Sequence, residues 1–165
     1  MATASIYYAS PGTITITYAS LANLGYQQST AVDNTTNLYT DALVGGKCVL
    51  GTAIAADGQL EFYAYASYDG TTYNPVPGST DATITWGTNC SALGYQDLKF
   101  LGVASVDDTD DDDTVEFGPF SIASAFGGTM PQKWGIVIKN STGVTMAATQ
   151  TGAEAKYVGL KLTSA

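Results

Sequence analysis

The chain contains no histidine and no arginine. Without histidine it lacks the commonest general base, proton shuttle and zinc ligand, and a serine triad in its usual form is excluded. Without arginine it lacks the bidentate clamp for phosphate and carboxylate groups. Glutamate is scarce as well, with only Glu61, Glu116 and Glu154. A glycosidase pair drawn from Glu61 and Glu116 is disfavoured, because Glu61 lies between Leu60 and Phe62 and reads as the polar face of a strand. None of the six lysines sits in a motif that would desolvate it for a Ser-Lys arrangement. Enzymatic chemistry is therefore not expected. No apolar run approaches the length of a membrane span. The first residues carry no basic patch followed by an apolar stretch, so no secretory signal is expected. The expectation is synthesis in a cytoplasm, with any later exposure by a route such as viral lysis.

Cysteine is limited to Cys48 and Cys90, too few for a zinc site without histidine. They read as buried small apolar residues, with a disulfide between them as the alternative. Fifteen acidic residues against six lysines give a net charge of −9. Such a surface repels nucleic acid and anionic membranes, so neither is an expected partner. Asn34, Asn89 and Asn140 begin Asn-x-Ser/Thr triplets, which a chain this rich in Ser and Thr contains by chance.

What is abundant is Thr, Ser, Ala, Gly and Tyr, a composition of short strands broken by turns. Alternation of period two is clearest at Thr13–Tyr18, where Ile14, Ile16 and Tyr18 share a face. Further strands are expected at Leu60–Tyr68, Ala82–Trp86, Leu98–Val106, Val115–Phe126, Trp134–Lys139 and Tyr157–Leu162. Leu98–Val106 reads as a more fully buried strand, because Phe100, Leu101 and Val103 leave little room for alternation. Asp69-Gly70 signals a tight hairpin, and one helical turn is expected at most, near Ser20–Leu24. About eight to ten short strands argue for an all-β antiparallel sandwich of jelly-roll type, with an up-and-down barrel as the alternative. Residues 1–12 form an arm or first strand, and residues 13–165 a single domain.

Three stretches carry a resemblance: Val32–Ala42, Tyr63–Tyr73 and Phe126–Gly143. In this order they resemble small jelly-roll proteins of tailed bacteriophages and cyanophages that decorate or cement capsids. The likeness spans roughly Thr15 to Leu162. It implies a virion structural protein on the capsid surface, with the major capsid protein as partner and a homo-oligomer, first of all a trimer, as its state. A tail or baseplate component is a further alternative. The Ser67–Tyr73 stretch also resembles carbohydrate-binding jelly rolls, which implies an alternative role in host-surface adhesion.

Three groups of residues are candidate sites. Ile6, Tyr7 and Tyr8 read as an arm that packs on a neighbour. Tyr68, Asp69, Tyr73, Asn74 and Trp86 are the candidates for glycan binding, since aromatic faces stack on sugar rings and Asp or Asn can hold hydroxyls. Asp107, Asp108, Asp110, Asp111, Asp112 and Asp113 form an acidic run. It reads as a solvated loop, with a Ca²⁺ site as the alternative, although it lacks the spaced ligands and central glycine of an EF-hand loop. No other cofactor is expected.

Overall fold

The computed structural model describes residues 4–73, 75–88 and 97–164. Within them lie eleven strands and one short helix. The strands are β1 (Ala4–Tyr8), β2 (Gly12–Ile14), β3 (Tyr26–Gln28), β4 (Val32–Asp33), β5 (Asp41–Val49), β6 (Gly58–Ser67), β7 (Ala82–Ile84), β8 (Lys99–Val106), β9 (Thr114–Ser121), β10 (Lys133–Ser141) and β11 (Glu154–Ser164). Helix α1 spans Ile122–Ala125.

They form two antiparallel sheets. The first runs β1-β11-β5-β9 with β2 also on β11, and the second runs β7-β3-β10-β6-β8 with β4 also on β10. Within this order, β2 pairs β11, β3 pairs β10, β5 pairs β9 and β6 pairs β8. Strands equidistant from one central connection are thus partners, as in a long β-ribbon. The pairs β11·β5 and β10·β6 then roll that ribbon into two facing sheets. This is the jelly-roll order, with β1 and β7 added at the edges.

The core follows from strand alternation. Leu60, Phe62 and Ala64 of β6 and Trp134, Ile136 and Ile138 of β10 point inward, onto Val44, Cys48, Phe117 and Ile122. Phe62 stacks on Phe117 at 4.3 Å between ring centroids and lies 5.5 Å from Phe120. The outward residues of the same strands are buried too. Tyr65 and Val137 pack with Val76, Ile84 and Leu98, which lie on the long connection between β6 and β8. Tyr65 sits over Gly135, where a Cβ would lie 2.4 Å from the ring, and its hydroxyl donates to Ser29 O at 2.6 Å. Gln28 Nε2 donates to the carbonyls of Gly78 and Thr80 and pins the covering segment in place.

Several expectations are corrected. Asp69-Gly70 does not make a hairpin: β6 pairs with β10 and β8, and β7 crosses to the far edge beside β3. The Asp69 carboxylate instead closes a local turn by accepting the N–H groups of Thr71 and Thr72. The strand expected through Phe126 ends at Ser121, because the Ser121 hydroxyl caps the N–H of Ser124 and Asp41 accepts the N–H of Ala123. β8 is an edge strand, so Phe100 and Val103 face solvent at 58% and 43% exposure, while Ala104 and Val106 enter the core. Of Thr13–Tyr18 only the first part pairs, as β2, although Ile14 and Tyr18 are buried as the alternation requires. Ser20–Leu24 forms turns without a helix.

Replacing Phe62 by Ala removes the ring at the centre of this stack. The expected cost is about 3–5 kcal/mol of unfolding free energy in chemical denaturation, with strand content kept in the folded state.

Candidate functional site

The amino-terminal strand lies against the last strand. Ala4 pairs with Ser164, Ile6 with Leu162 and Tyr8 with Leu160. On its other side β11 pairs with β5 only as far as Leu160, opposite Asp41. The β1 ribbon therefore extends past the body of the sheet as a two-stranded arm. Every β1 residue is exposed, including Ile6 at 61% and Tyr8 at 59%, with Leu162 at 65%. Ile6 and Leu162 face each other on one side of the ribbon, and Lys161 lies 5.4 Å from the Tyr7 ring on the other. Of the expected interface residues, Ile6 and Tyr8 share one face with Leu162, and Tyr7 lies on the other face beside Lys161. Sequence reading missed Leu162 because its place depends on the register with β1.

A second exposed apolar patch, Phe100 and Val103, lies at the β8 edge of the other sheet's outer face. The cross-strand row Ile84, Tyr26, Lys139, Glu61 and Val103 runs beside the row Val137, Tyr63 and Phe100. Tyr63 and Phe100 meet edge to face at 5.7 Å, as do Tyr26 and Trp86 at 5.2 Å. Glu61 sits in the middle. Its carboxylate takes Lys139 Nζ at 2.5 Å and the hydroxyls of Ser141, at 2.8 Å, and Tyr63. Burial opposes ionisation of Glu61, but these hydrogen bonds outweigh it and hold the carboxyl below its ordinary value. Burial and the bond to Glu61 push the Tyr63 phenol up. β8, which carries Phe100 and Val103, packs beside β9, the edge opposite β1. The two apolar surfaces therefore lie toward opposite lateral edges of the sandwich.

The glycan candidates do not converge. Tyr68 and Asp69 line an open cleft of about 430 Å³ with Tyr65, Thr72, Lys99 and Phe126. Tyr68 is 65% exposed and meets Phe126 edge-on. The carboxylate of Asp69 is occupied by Ser67, Thr71 and Thr72, whose hydrogen bonds, those of Thr72 foremost, hold it well below the usual range. Tyr73 packs behind the cleft against Tyr65, and Trp86 packs against Tyr26. Asn74 lies outside the described residues. Phe126 was not among the candidates, because only the turn into α1 brings it across to Tyr68.

The acidic run forms an exposed loop between β8 and β9. Asp107 accepts the N–H and hydroxyl of Thr109, Asp110 accepts the N–H of Asp107, and Asp111 accepts the N–H of Ile54 at 2.9 Å. Asp107 and Asp110 thus close their own turn, and Asp111 ties the loop to the segment that follows β5. Among the described residues no group of three or more acidic or thiol side chains converges on a point that a cation could share. Cys48 is a free, fully buried thiol, and burial pushes it up to about 12. The pairing considered with Cys90 involves a residue outside the described ones. No helix among the described residues is long and apolar enough to cross a membrane.

Set against known protein families, curated proteins and solved structures, the chain matches none.

The Glu61 network generates an acid dependence. A carboxyl depressed on folding stabilises the native state fully above its unfolded value, near 4.5, and that contribution is lost as pH falls through the lower folded value. Glu61→Gln is expected to cost about 1–3 kcal/mol at neutral pH, since Lys139 loses its charged partner. It is also expected to flatten the decline in stability below about pH 5, as followed by urea denaturation at a series of pH values.

Proposed function

We propose that the protein is a virion structural protein of a tailed phage. In this reading it is a capsid decoration or cement protein that adheres by surface contact and uses no catalytic step. One observation carries the reading: two exposed apolar surfaces, the β1–β11 arm and the Phe100–Val103 face, lie toward opposite edges of an otherwise acidic jelly roll. Apolar area of this kind on a small domain is characteristic of protein contacts. Placement on both sides suits a module that joins neighbours. The acidic remainder keeps such a protein soluble at high copy number. In the proposed arrangement the Phe100–Val103 face meets the major capsid protein and the arm meets another copy. A tail or baseplate position rests on the same contacts and differs only in where the chain is found.

A second reading, adhesion to a host glycan, rests on the cleft beside Tyr68, where the rings of Tyr65, Tyr68 and Phe126 and Lys99 surround open space. The reach of an aromatic ring over a sugar face supports it.

Peptide mass spectrometry of gradient-purified particles tests the first reading. The chain is expected in mature particles, and Phe100→Asp is expected to lower its occupancy roughly tenfold by desolvating a charge at the contact. The melting temperature should fall only slightly, because this side chain is mostly exposed and loses an edge-to-face contact with Tyr63. Absence of the wild-type chain from particles would overturn the virion reading and direct the search to glycan arrays, with Tyr68→Ala as the diagnostic variant.

A further inference from the structure

We infer that the arm is a homodimerisation element, in which β1 pairs antiparallel with β1 of a second copy about a two-fold axis through Ile6. The inference concerns self-association alone and does not depend on a virion role.

The first argument is which edge is open. Natural sheets protect their edges with charge, proline, bulges, short strands or a covering element. β9 carries Glu116 and Pro119 and has a register shift opposite Val44 and Gly46. β8 begins at Lys99, is bulged opposite Phe62 and Tyr63, and is flanked by β9 and α1. β7 and β2 are three residues each. β1, Ala-Ser-Ile-Tyr-Tyr, has no charge, no proline and no glycine, and all of it is exposed.

The second argument is hydrogen-bond direction. The N–H of Ala9 donates to Gly159 O, in the same register that pairs β1 with β11. In an antiparallel pair the bonded residues alternate. Tyr7 and Ser5 therefore also turn their backbone groups toward β11, and those of Ala4, Ile6 and Tyr8 point away from the sheet. A two-fold centred on Ile6 sets Ile6 against Ile6 of the second copy, Ala4 against its Tyr8 and Tyr8 against its Ala4. These are the residues whose N–H and C=O groups are free to exchange two bonds per pair. The open edge is thus complementary to itself in register and in donor–acceptor order.

The third argument is the side chains. On one face this register builds a continuous aliphatic row, Leu162, Ile6 and the same two residues of the second copy, with Tyr8 beside it. Among the described residues of the arm, Lys161 is the one charged side chain, and it already lies against Tyr7. The remainder of each copy is strongly acidic. The arm is therefore the part of the surface on which two copies meet without bringing carboxylates together, and an isologous pairing joins the β11-containing sheets edge to edge.

Sedimentation velocity of the full chain over a range of concentration and salt tests this. The expected species is a dimer of the 17.1 kDa chain, tightening as salt screens repulsion between the acidic bodies. Ile6→Pro removes the outward N–H without touching a bond to β11, and it is expected to weaken association at least about tenfold. Ile6→Lys keeps the main chain but sets like charges together at the axis, and it should do the same. Ile6→Val should remain a dimer. Thermal melts separate loss of pairing from loss of fold, because β1 lies outside both buried clusters. A monomer at all concentrations and salts, a trimer, or an Ile6→Pro variant that still dimerises would each overturn the inference.

Discussion

The arrangement depends on β10 being buried on both faces. Trp134, Ile136 and Ile138 fill the space between the sheets, while Gly135 and Val137 lie beneath Tyr65 and the segment that follows β6. Burying a strand on both faces requires a near-continuous apolar run, and Trp-Gly-Ile-Val-Ile supplies it. At its end Asn140 donates to the carbonyls of Leu21 and Val144 and accepts from Thr142, which satisfies a buried amide and ties the following turn to the amino-terminal half. The molecule is thus covered on one side by a facing sheet and on part of the other by its own long connection. Exposed apolar area is left mainly to the periphery, at the arm and at β8.

That division gives the polar residues their places. Aspartates serve as turn closers: Asp69 holds Thr71 and Thr72, Asp33 holds Thr35, and Asp107 holds Thr109. These three Asp-x-Thr triplets are turn architecture, since a carboxylate accepting the N–H two residues on fixes a turn without burying charge. Asp41 and Asp81 instead make long-range bonds, to Ala123 and to Thr17 and Gln27, and Glu61 is placed differently again. It lies within a sheet, and three donors keep it ionised there.

Much of the fold was legible in the sequence, because period-two alternation survives in β6 and β11 and a solid apolar run marks β10. β5, the partner of both β9 and β11, was not seen. Gly45-Gly46 and Lys47 break its pattern, and only the structure shows why glycine is there: a Cβ on Gly46 would lie 2.1 Å from Glu154 O. β8 was misjudged because Phe100 and Val103 look like core residues until the strand is known to lie at an edge. For the candidate surfaces, Ile6 to Tyr8 could be picked out as apolar residues at a chain terminus. Their pairing with Leu160 and Leu162 joins opposite ends of the chain, which no local pattern encodes. The glycan candidates scattered because Asp69-Gly70 closes a loop rather than a hairpin, which sends Tyr73 and Trp86 into the outer cluster.

Residue-resolved amide hydrogen exchange in dilute solution tests most directly the claim that a core closed around β10 leaves the arm as an open edge. The account expects the slowest exchange in Trp134–Ile138 and the facing part of β6, with β1 split by register. Ser5 and Tyr7 should be protected, and Ala4, Ile6 and Tyr8 should exchange freely in the monomer. Exchange in β10 as fast as in β1, or equal protection of all β1 amides under those conditions, would contradict it.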